Sequence, residues 1–398
     1  MQIGIVGAPS SGKSTFFSAA TLVDVAIANY PFTTIEPNKG ISFVRVECID
    51  KEFKVQCNPR TGYCKNGTRW VPVELIDVAG LVPGAHEGKG RGNQFLSDLS
   101  TADVLIHVVD ASGSTDANGN SVPAGHHDPC ETVLFLEDEI DYWFLGILEK
   151  NWRKIANAHY ADESKAIAAI AQTMSGIGGT EPIIEKVLRK TELFEKKPIH
   201  WNEEDKKKFA TALREATKPI VVAANKIDVP SAAKNLENMK NRFPKVPIIP
   251  CSGFAELALK KAAKQGIIEY EPGAKTFSVK GELNEKQKQV LDAIQKTVLD
   301  QFGSTGIQDV LDKTVFDILQ YIAVFPAGVH KLEDSSGRKL ADCFLIPPAS
   351  TALDFAFKLH TDMGKGFIRA INVKTKQMVG KDHELAHRDA IEIIFKAP

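Results

Sequence analysis

Two short runs carry residue types that together can hold a nucleoside triphosphate: Gly7-Ala8-Pro9-Ser10-Ser11-Gly12-Lys13-Ser14, followed by Thr15, and Asn225-Lys226-Ile227-Asp228. The first is a G-x-x-x-x-G-K-S pattern. Its glycines allow the tight path on which successive backbone N–H groups turn toward an anion, and the dipole of a following helix adds to the attraction. Lys13 is placed to reach the β- and γ-phosphates and Ser14 to ligate Mg²⁺. In the second run, the Asp228 carboxylate can accept from both the N1–H and the 2-amino group of guanine. Adenine lacks that donor pair, so such a site can discriminate by roughly 10⁴-fold. Asn225 would contact the base and brace its loop, and the stem of Lys226 can cover the purine face. Ser252 and Gly253, after the next apolar run, could support the base through their backbone. Either run alone is compatible with an ordinary turn. Their order and company predict GTP or GDP as the ligand.

Between them, Asp77-Val78-Ala79-Gly80 follows the apolar stretch Val73–Val78. An acid at the end of a buried strand suits a carboxylate that holds a metal-bound water, and Gly80 lets a backbone N–H approach the γ-phosphate. The segment Tyr30–Asn38 offers Thr33 and Thr34, and Thr34 is the favoured hydroxyl to complete the Mg²⁺ shell while the γ-phosphate is present. His86, His126 and His127 are candidates to position the attacking water, with Arg91 a candidate arginine finger; for each taken singly, a solvated loop residue is the leading reading. The catalytic set is thus Lys13, Thr34, Gly80, His86 and His127, with Ser14, Thr34 and Asp77 around the metal.

These residues need a scaffold. Gln2–Val6, Val71–Val78, Val104–Asp110, Pro219–Ala224 and Pro247–Cys251 read as buried strands, with Thr15–Ala20 a helix after the first. The alternation predicts an α/β fold with a parallel doubly wound sheet. Glu131–Ala158 has helical periodicity with Trp143 and Trp152 on its apolar side, and Asn202 before Glu203-Glu204-Asp205 reads as an N-cap. The predicted organisation is a nucleotide domain over 1–129 and 219–282, an inserted helical domain over 130–218, a helical linker over 283–320, and a compact α+β domain over 321–398.

The 398 residues are 43% hydrophobic and 25% charged, with a net charge of −1. That is ordinary globular material without a wholesale basic surface, so any nucleic-acid contact must be local. No apolar run approaches the ~20 residues that span a bilayer, and Gln2–Val6 already reads as the strand before the phosphate loop. A cytoplasmic protein without a signal peptide is expected; oligomeric state is open.

With these motifs goes a resemblance. Ala79-Gly80-Leu81-Val82-Pro83-Gly84-Ala85, the Pro31-Phe32-Thr33-Thr34 loop and the helical insertion resemble the Obg-related YchF family of P-loop NTPases. Thr351–Asp362, followed by Phe367-Ile368-Arg369-Ala370, is similar to the TGS domain, a β-grasp module. The resemblance spans nearly the whole chain. It implies a GTPase switch that associates with ribosomes or translation factors. The rival readings are an ATP-preferring YchF-type ATPase and a nucleotide-gated RNA or ribosome scaffold with negligible hydrolysis. Many YchF proteins lack the Asp of the base-reading tetrad and prefer ATP, whereas this chain keeps Asp228. Leu81 stands where many GTPases carry the water-orienting glutamine, which implies slow intrinsic turnover. Ser10 stands where many Obg-related GTPases have an Asn that helps hold potassium. In the C-terminal module, Lys365, Arg369, Lys374, Lys376 and Lys381 could make a local RNA contact or be solvated sheet edges.

Six cysteines do not make a disulfide scaffold in a chain of this length. Cys48, Cys57 and Cys64 cluster, with Asn66-Gly67 a hairpin signal. Packed free thiols, a cross-hairpin disulfide, and a metal site with His86 as the nearest possible fourth ligand are all open readings.

Overall fold

Five residues, Gln2–Val6 (β1), are all but excluded from solvent past the first, as a strand covered on both faces must be. The structure, a computed structural model, describes residues 1–22, 38–78, 98–116, 118–158 and 163–396. The described chain forms two compact units, one of residues 1–22, 38–40 and 74–310, the other of residues 41–73 and 311–396.

In the first unit, β1 leads through the glycine turn into α1 (Lys13–Thr21). Lys39–Glu47 is β2 and Thr68–Asp77 is β4, each divided between the two units, and Tyr63–Lys65, in the second unit, is β3. Val104–Asp110 (β5), Ile220–Asn225 (β6) and Ile248–Pro250 (β7) complete the order β4-β1-β5-β6-β7. Each neighbouring pair in that series is parallel. The register sets Ile5 opposite Asp77 and Asp110 opposite Asn225, so the carboxyl ends of β4, β1, β5 and β6 open on one edge. Ligands of open α/β sheets bind at that edge.

Between β5 and β6 lie α2 (Pro129–Lys150), α3 (Trp152–Ala158), α4 (Glu163–Met174), α5 (Glu181–Lys190) and α6 (Glu203–Thr217). The single helix expected over 131–158 is broken at Asn151, whose φ of −113° and ψ of 9° leave the helical range. Trp143 and Trp152 flank a core that runs from Val6 and Ile76 through Phe144 to Phe209, so the insertion shares its core with the sheet. Asp141 accepts from Arg214 at 2.9 Å and Thr211 at 2.7 Å, locking α2 to α6. Asn202 caps α6 in a capping box with Asp205, as its sequence position predicts. Beyond β6 come α7 (Ala232–Arg242), α8 (Gly253–Lys264), the short ladder Ile268–Glu269 (β8) with Ser278–Val279 (β9), and α9 (Glu285–Ile294), which continues as a π-helical turn over Gln295–Leu299.

In the second unit β3 runs antiparallel to β4, pairing Tyr63 with Trp70. The sheet is therefore mixed, not parallel throughout as expected. The cause is Asn66-Gly67, whose φ values of 53° and 79° make the two-residue turn that returns a strand on itself. The C-terminal part is the β-grasp module. Ile322–Pro326 (β10), Phe344–Ile346 (β11), Phe367–Asn372 (β12), Gln377–Val379 (β13) and Ala390–Phe395 (β14) form a sheet of order β11-β10-β14-β12-β13. A helix over Ala352–Leu359 (α10), capped by Thr351 and Asp354, places Phe355 in its core.

Candidate nucleotide site

The glycine turn between β1 and α1 has the backbone shape an anion cradle needs. Gly12 sits at φ 91° and Ser10 at φ 60°. A Cβ on Gly7 would lie 2.5 Å from the Val108 carbonyl, so no other residue fits there. The N-cap of α1 is Gly12, which has no side chain to cap it, and among the described residues the first N–H groups of the helix are left for a ligand. Ser14 is exposed and Thr15 half-buried in the first turn, while Ser11 is buried. Ser10 donates to the Gly119 carbonyl at 3.0 Å, so its hydroxyl ties the loop after β5 to the cradle. Gly7, Ala8 and Pro9 form the ascending limb; a side chain on Gly119 would strike Pro9.

Lys13 forms an ion pair with Asp77 at the end of β4. Two residues 64 apart in sequence are thus brought together because β1 and β4 are neighbours. Thr34, Gly80 and His86, with Thr33, Leu81 and Arg91, lie outside the described residues. His126 is exposed. His127 lies at the start of α2, its Nε2 2.9 Å from the Thr132 hydroxyl and its Nδ1 3.9 Å from Glu131. The hydrogen bond to Thr132 braces that helix start, and among the described residues no side-chain hydrogen bond of His127 goes to the phosphate loop.

The second loop is wired to the first by one side chain. Asn225, 3% exposed, donates from Nδ2 to the Ser11 carbonyl at 3.0 Å and accepts at Oδ1 from the Gly253 N–H at 3.0 Å. It therefore fixes the spacing between phosphate cradle and base loop. Asp228 accepts from the Ser252 hydroxyl at 2.6 Å, and the same Ser252 oxygen accepts from the Ala255 N–H at 3.1 Å, capping α8. A carboxylate has about four acceptor positions, so Asp228 keeps capacity for a base edge. Behind this loop, Ser252 N–H donates to the Thr305 carbonyl at 2.8 Å. Thr305 and Tyr270 both donate to the fully buried Glu256 of α8, at 2.5 and 2.7 Å.

Lys226 occupies left-handed backbone at φ 65° and sends its ammonium to Asp110 at 2.8 Å. Asp110, 5% exposed, also accepts from the Ser112 N–H at 3.0 Å, from the hydroxyls of Ser112 at 2.5 Å and Ser114 at 2.8 Å, and from that of Thr115. Burial alone would raise the Asp110 pKa, but the ammonium and hydroxyls outweigh it and hold the carboxyl below its usual range. Sequence reasoning missed this brace. Its signal is an acid ending a buried strand just before Ser112, Ser114 and Thr115.

A glycine-turned cradle at a helix start, an acid at the end of the adjacent strand and a carboxylate loop after β6 define a P-loop nucleotide-binding protein of the GTPase class. Family models agree: residues 2–135 match the 50S ribosome-binding GTPase model, 223–328 match the Obg-like GTPase YGR210-like, G4 motif-containing domain, and 330–395 match the TGS domain. An uncharacterized GTP-binding protein of Methanocaldococcus jannaschii is 46% identical over 397 residues, covering 100% of this chain and 99% of the relative. The crystal structure of a GTP-binding protein from Pyrococcus horikoshii OT3 superposes with a TM-score of 0.79 at 39% identity, covering all of both chains. Human Obg-like ATPase 1 is 27% identical, covering 98% of this chain and 87% of that protein. The chain belongs to the Obg-like, YGR210-like family of GTPases. Among the described residues no helix is long and apolar enough to cross a membrane.

Proposed function

We propose that the chain is a guanine-specific GTP hydrolase whose nucleotide state regulates contact with the ribosome or its RNA. The observation that carries the specificity is the fixing of Asp228 by Ser252 in a loop that Asn225 ties to the phosphate cradle. A base acceptor held at a set distance from the phosphate grip reads guanine and refuses adenine, because adenine would set an acceptor against the carboxylate.

Lys13 exchanges Asp77 for the β- and γ-phosphate oxygens when nucleotide binds. The donor set left behind suits Mg²⁺: the exposed Ser14 hydroxyl and the Asp77 carboxylate, which already faces a cation, are hard oxygen ligands, with Thr34 the third. Bound there, Mg²⁺ supplies charge neutralisation on the phosphates. Gly80 offers its N–H to the γ-phosphate, and His86 orients the attacking water in place of the glutamine absent at Leu81. His127, engaged with Thr132, braces the start of α2. The nucleotide domain spans 1–129 and 219–282, 130–218 is the helical insertion, and 321–398 is the TGS module acting in the cytoplasm. In that module Lys365, Arg369, Lys376 and Lys381 are exposed, whereas Lys374 pairs with Glu52 at 2.7 Å. Those four are the proposed RNA contact, a set that implies steep salt dependence.

The test is titration of nucleotide-free protein with GDP and with ADP, with Mg²⁺ present, beside Asp228→Ala. The expected result is a GDP preference of roughly 10³- to 10⁴-fold that collapses in the variant. Equal or ADP-favoured binding would transfer the assignment to an ATPase of the kind named among the relatives. Single-turnover hydrolysis with and without ribosomes separates an enzyme from a nucleotide-gated scaffold.

A further inference from the structure

In the second unit, remote in function from the nucleotide loops, four donors converge. Cys48 follows β2, Asp50 lies in the turn after it, Cys57 ends that turn and Cys64 is in β3. One ligand atom from each lies within 4.8 Å of every other. Cys48 Sγ and Cys57 Sγ are 3.6 Å apart, and Cys64 Sγ is 3.7 Å from Asp50 Oδ2. A tetrahedral zinc with bonds of ~2.3 Å to sulfur and ~2.1 Å to oxygen has sulfur–sulfur edges of about 3.8 Å and sulfur–oxygen edges of about 3.6 Å. A disulfide would hold its sulfurs at ~2.0 Å. An iron–sulfur cluster, with several atoms between its ligands, would need them further apart.

The electrostatics point the same way. Asp50 is 4% exposed, and among the described residues no ion pair reaches it. Its recorded partners are the Lys51 N–H at 2.8 Å and the Cys64 thiol. A buried carboxylate so poorly compensated is expensive. Three thiols surround it, those of Cys48 and Cys57 buried and that of Cys64 half-buried. A divalent cation would compensate the carboxylate and take these thiols as thiolate ligands. The neighbouring Arg69, 1% exposed, donates to the Leu340 and Ala341 carbonyls and lends a further positive charge.

We propose that Cys48, Asp50, Cys57 and Cys64 bind one structural Zn²⁺, closed by four protein ligands, that clamps the β2 turn to the β3 hairpin. Three soft thiolates select zinc over Mg²⁺ or Ca²⁺, and four protein donors leave no open position for catalysis. Binding releases the thiol protons, so retention weakens as pH falls. The site is independent of the reading of nucleotide specificity.

The test begins with the full chain purified without chelator and its metal content measured. One zinc per chain is expected. After zinc removal, Co²⁺ should bind at one per chain and give the intense visible bands and thiolate charge-transfer absorption of a tetrahedral sulfur-rich site. Cys57→Ser and Asp50→Asn should each lower zinc occupancy at least tenfold under a competing chelator, and Asp50→Asn keeps the size of the side chain should Cys57→Ser fold poorly. Zinc-free protein that takes up no Co²⁺, or a Cys48–Cys57 disulfide found by mass spectrometry in protein isolated under air, would overturn the proposal.

Discussion

Asp50, in the turn after β2, and Asp110, at the end of β5, are both buried carboxylates, 4% and 5% exposed, and the chain treats them in opposite ways. Asp110 receives an ammonium, three hydroxyls and a backbone N–H. Asp50 receives one N–H and a thiol. Where the fold supplies its own cation, the carboxylate becomes an internal brace and needs nothing from outside. Where it does not, the surrounding thiols make the site a place for an external cation. A third group takes a third route: His107 in β5 is 1% exposed, and among the described residues its Nδ1 has no hydrogen-bond partner. Burial alone pulls its pKa down to about 3, so it stays neutral. Partner, imported cation and loss of charge are the three available answers to the same desolvation cost.

The comparison can be broken most forcefully at Asp110. Replacing it with alanine strands the Lys226 ammonium and three hydroxyls, and unfolding in urea should show a loss of about 3 kcal/mol, the low end for a buried pair because Lys226 is partly exposed. A loss below about 0.5 kcal/mol would show that the brace is ornamental.

His107 should reveal itself through pH. Its pKa is lower folded than unfolded, so the unfolded chain takes the proton first and stability falls as pH drops from about 6.5 toward about 3. The slope from this one group is about 1.4 kcal/mol per pH unit. Urea titrations of His107→Leu and wild type across that range should diverge by this amount. Parallel curves would mean that the imidazole finds a partner when protonated.

Asn225→Ala sharpens the contrast between wiring and reading. It orphans the Ser11 carbonyl and the Gly253 N–H, and GDP and ADP affinities should fall together, by roughly tenfold, for a cost of about 1–2 kcal/mol. A selective loss of GDP alone would make Asn225 a base contact rather than the tie between loops.

How far these features can be read in the chain depends on how local their cause is. The Gly7–Ser14 run announces itself because its backbone path demands glycine at fixed offsets and a lysine after the second. The Asn66-Gly67 turn was legible for the same reason, although its consequence, an antiparallel strand on a parallel sheet, was not drawn. Asp110 was invisible because its meaning depends on β6 lying beside β5, which sets it level with Asn225. Asp50 was missed because a single acid in Glu47-Cys48-Ile49-Asp50-Lys51 looks like any turn, and His86 was the fourth ligand considered in its place. His127 was legible as a loop histidine, but its engagement with Thr132 five residues on follows from the helix start at Pro129.

The central claim is that Asp228 reads guanine from a fixed frame, and an exchange of hydrogen-bond pattern tests it most directly. Asp228→Asn replaces an acceptor pair with one donor and one acceptor. Xanthine carries a carbonyl where guanine has its 2-amino group and so matches that new pattern. Equilibrium binding of GDP and xanthosine diphosphate to wild type and variant should show preference crossing over, guanine for the first and xanthine for the second. A variant that still prefers GDP, or a wild type indifferent between the two, would contradict the account.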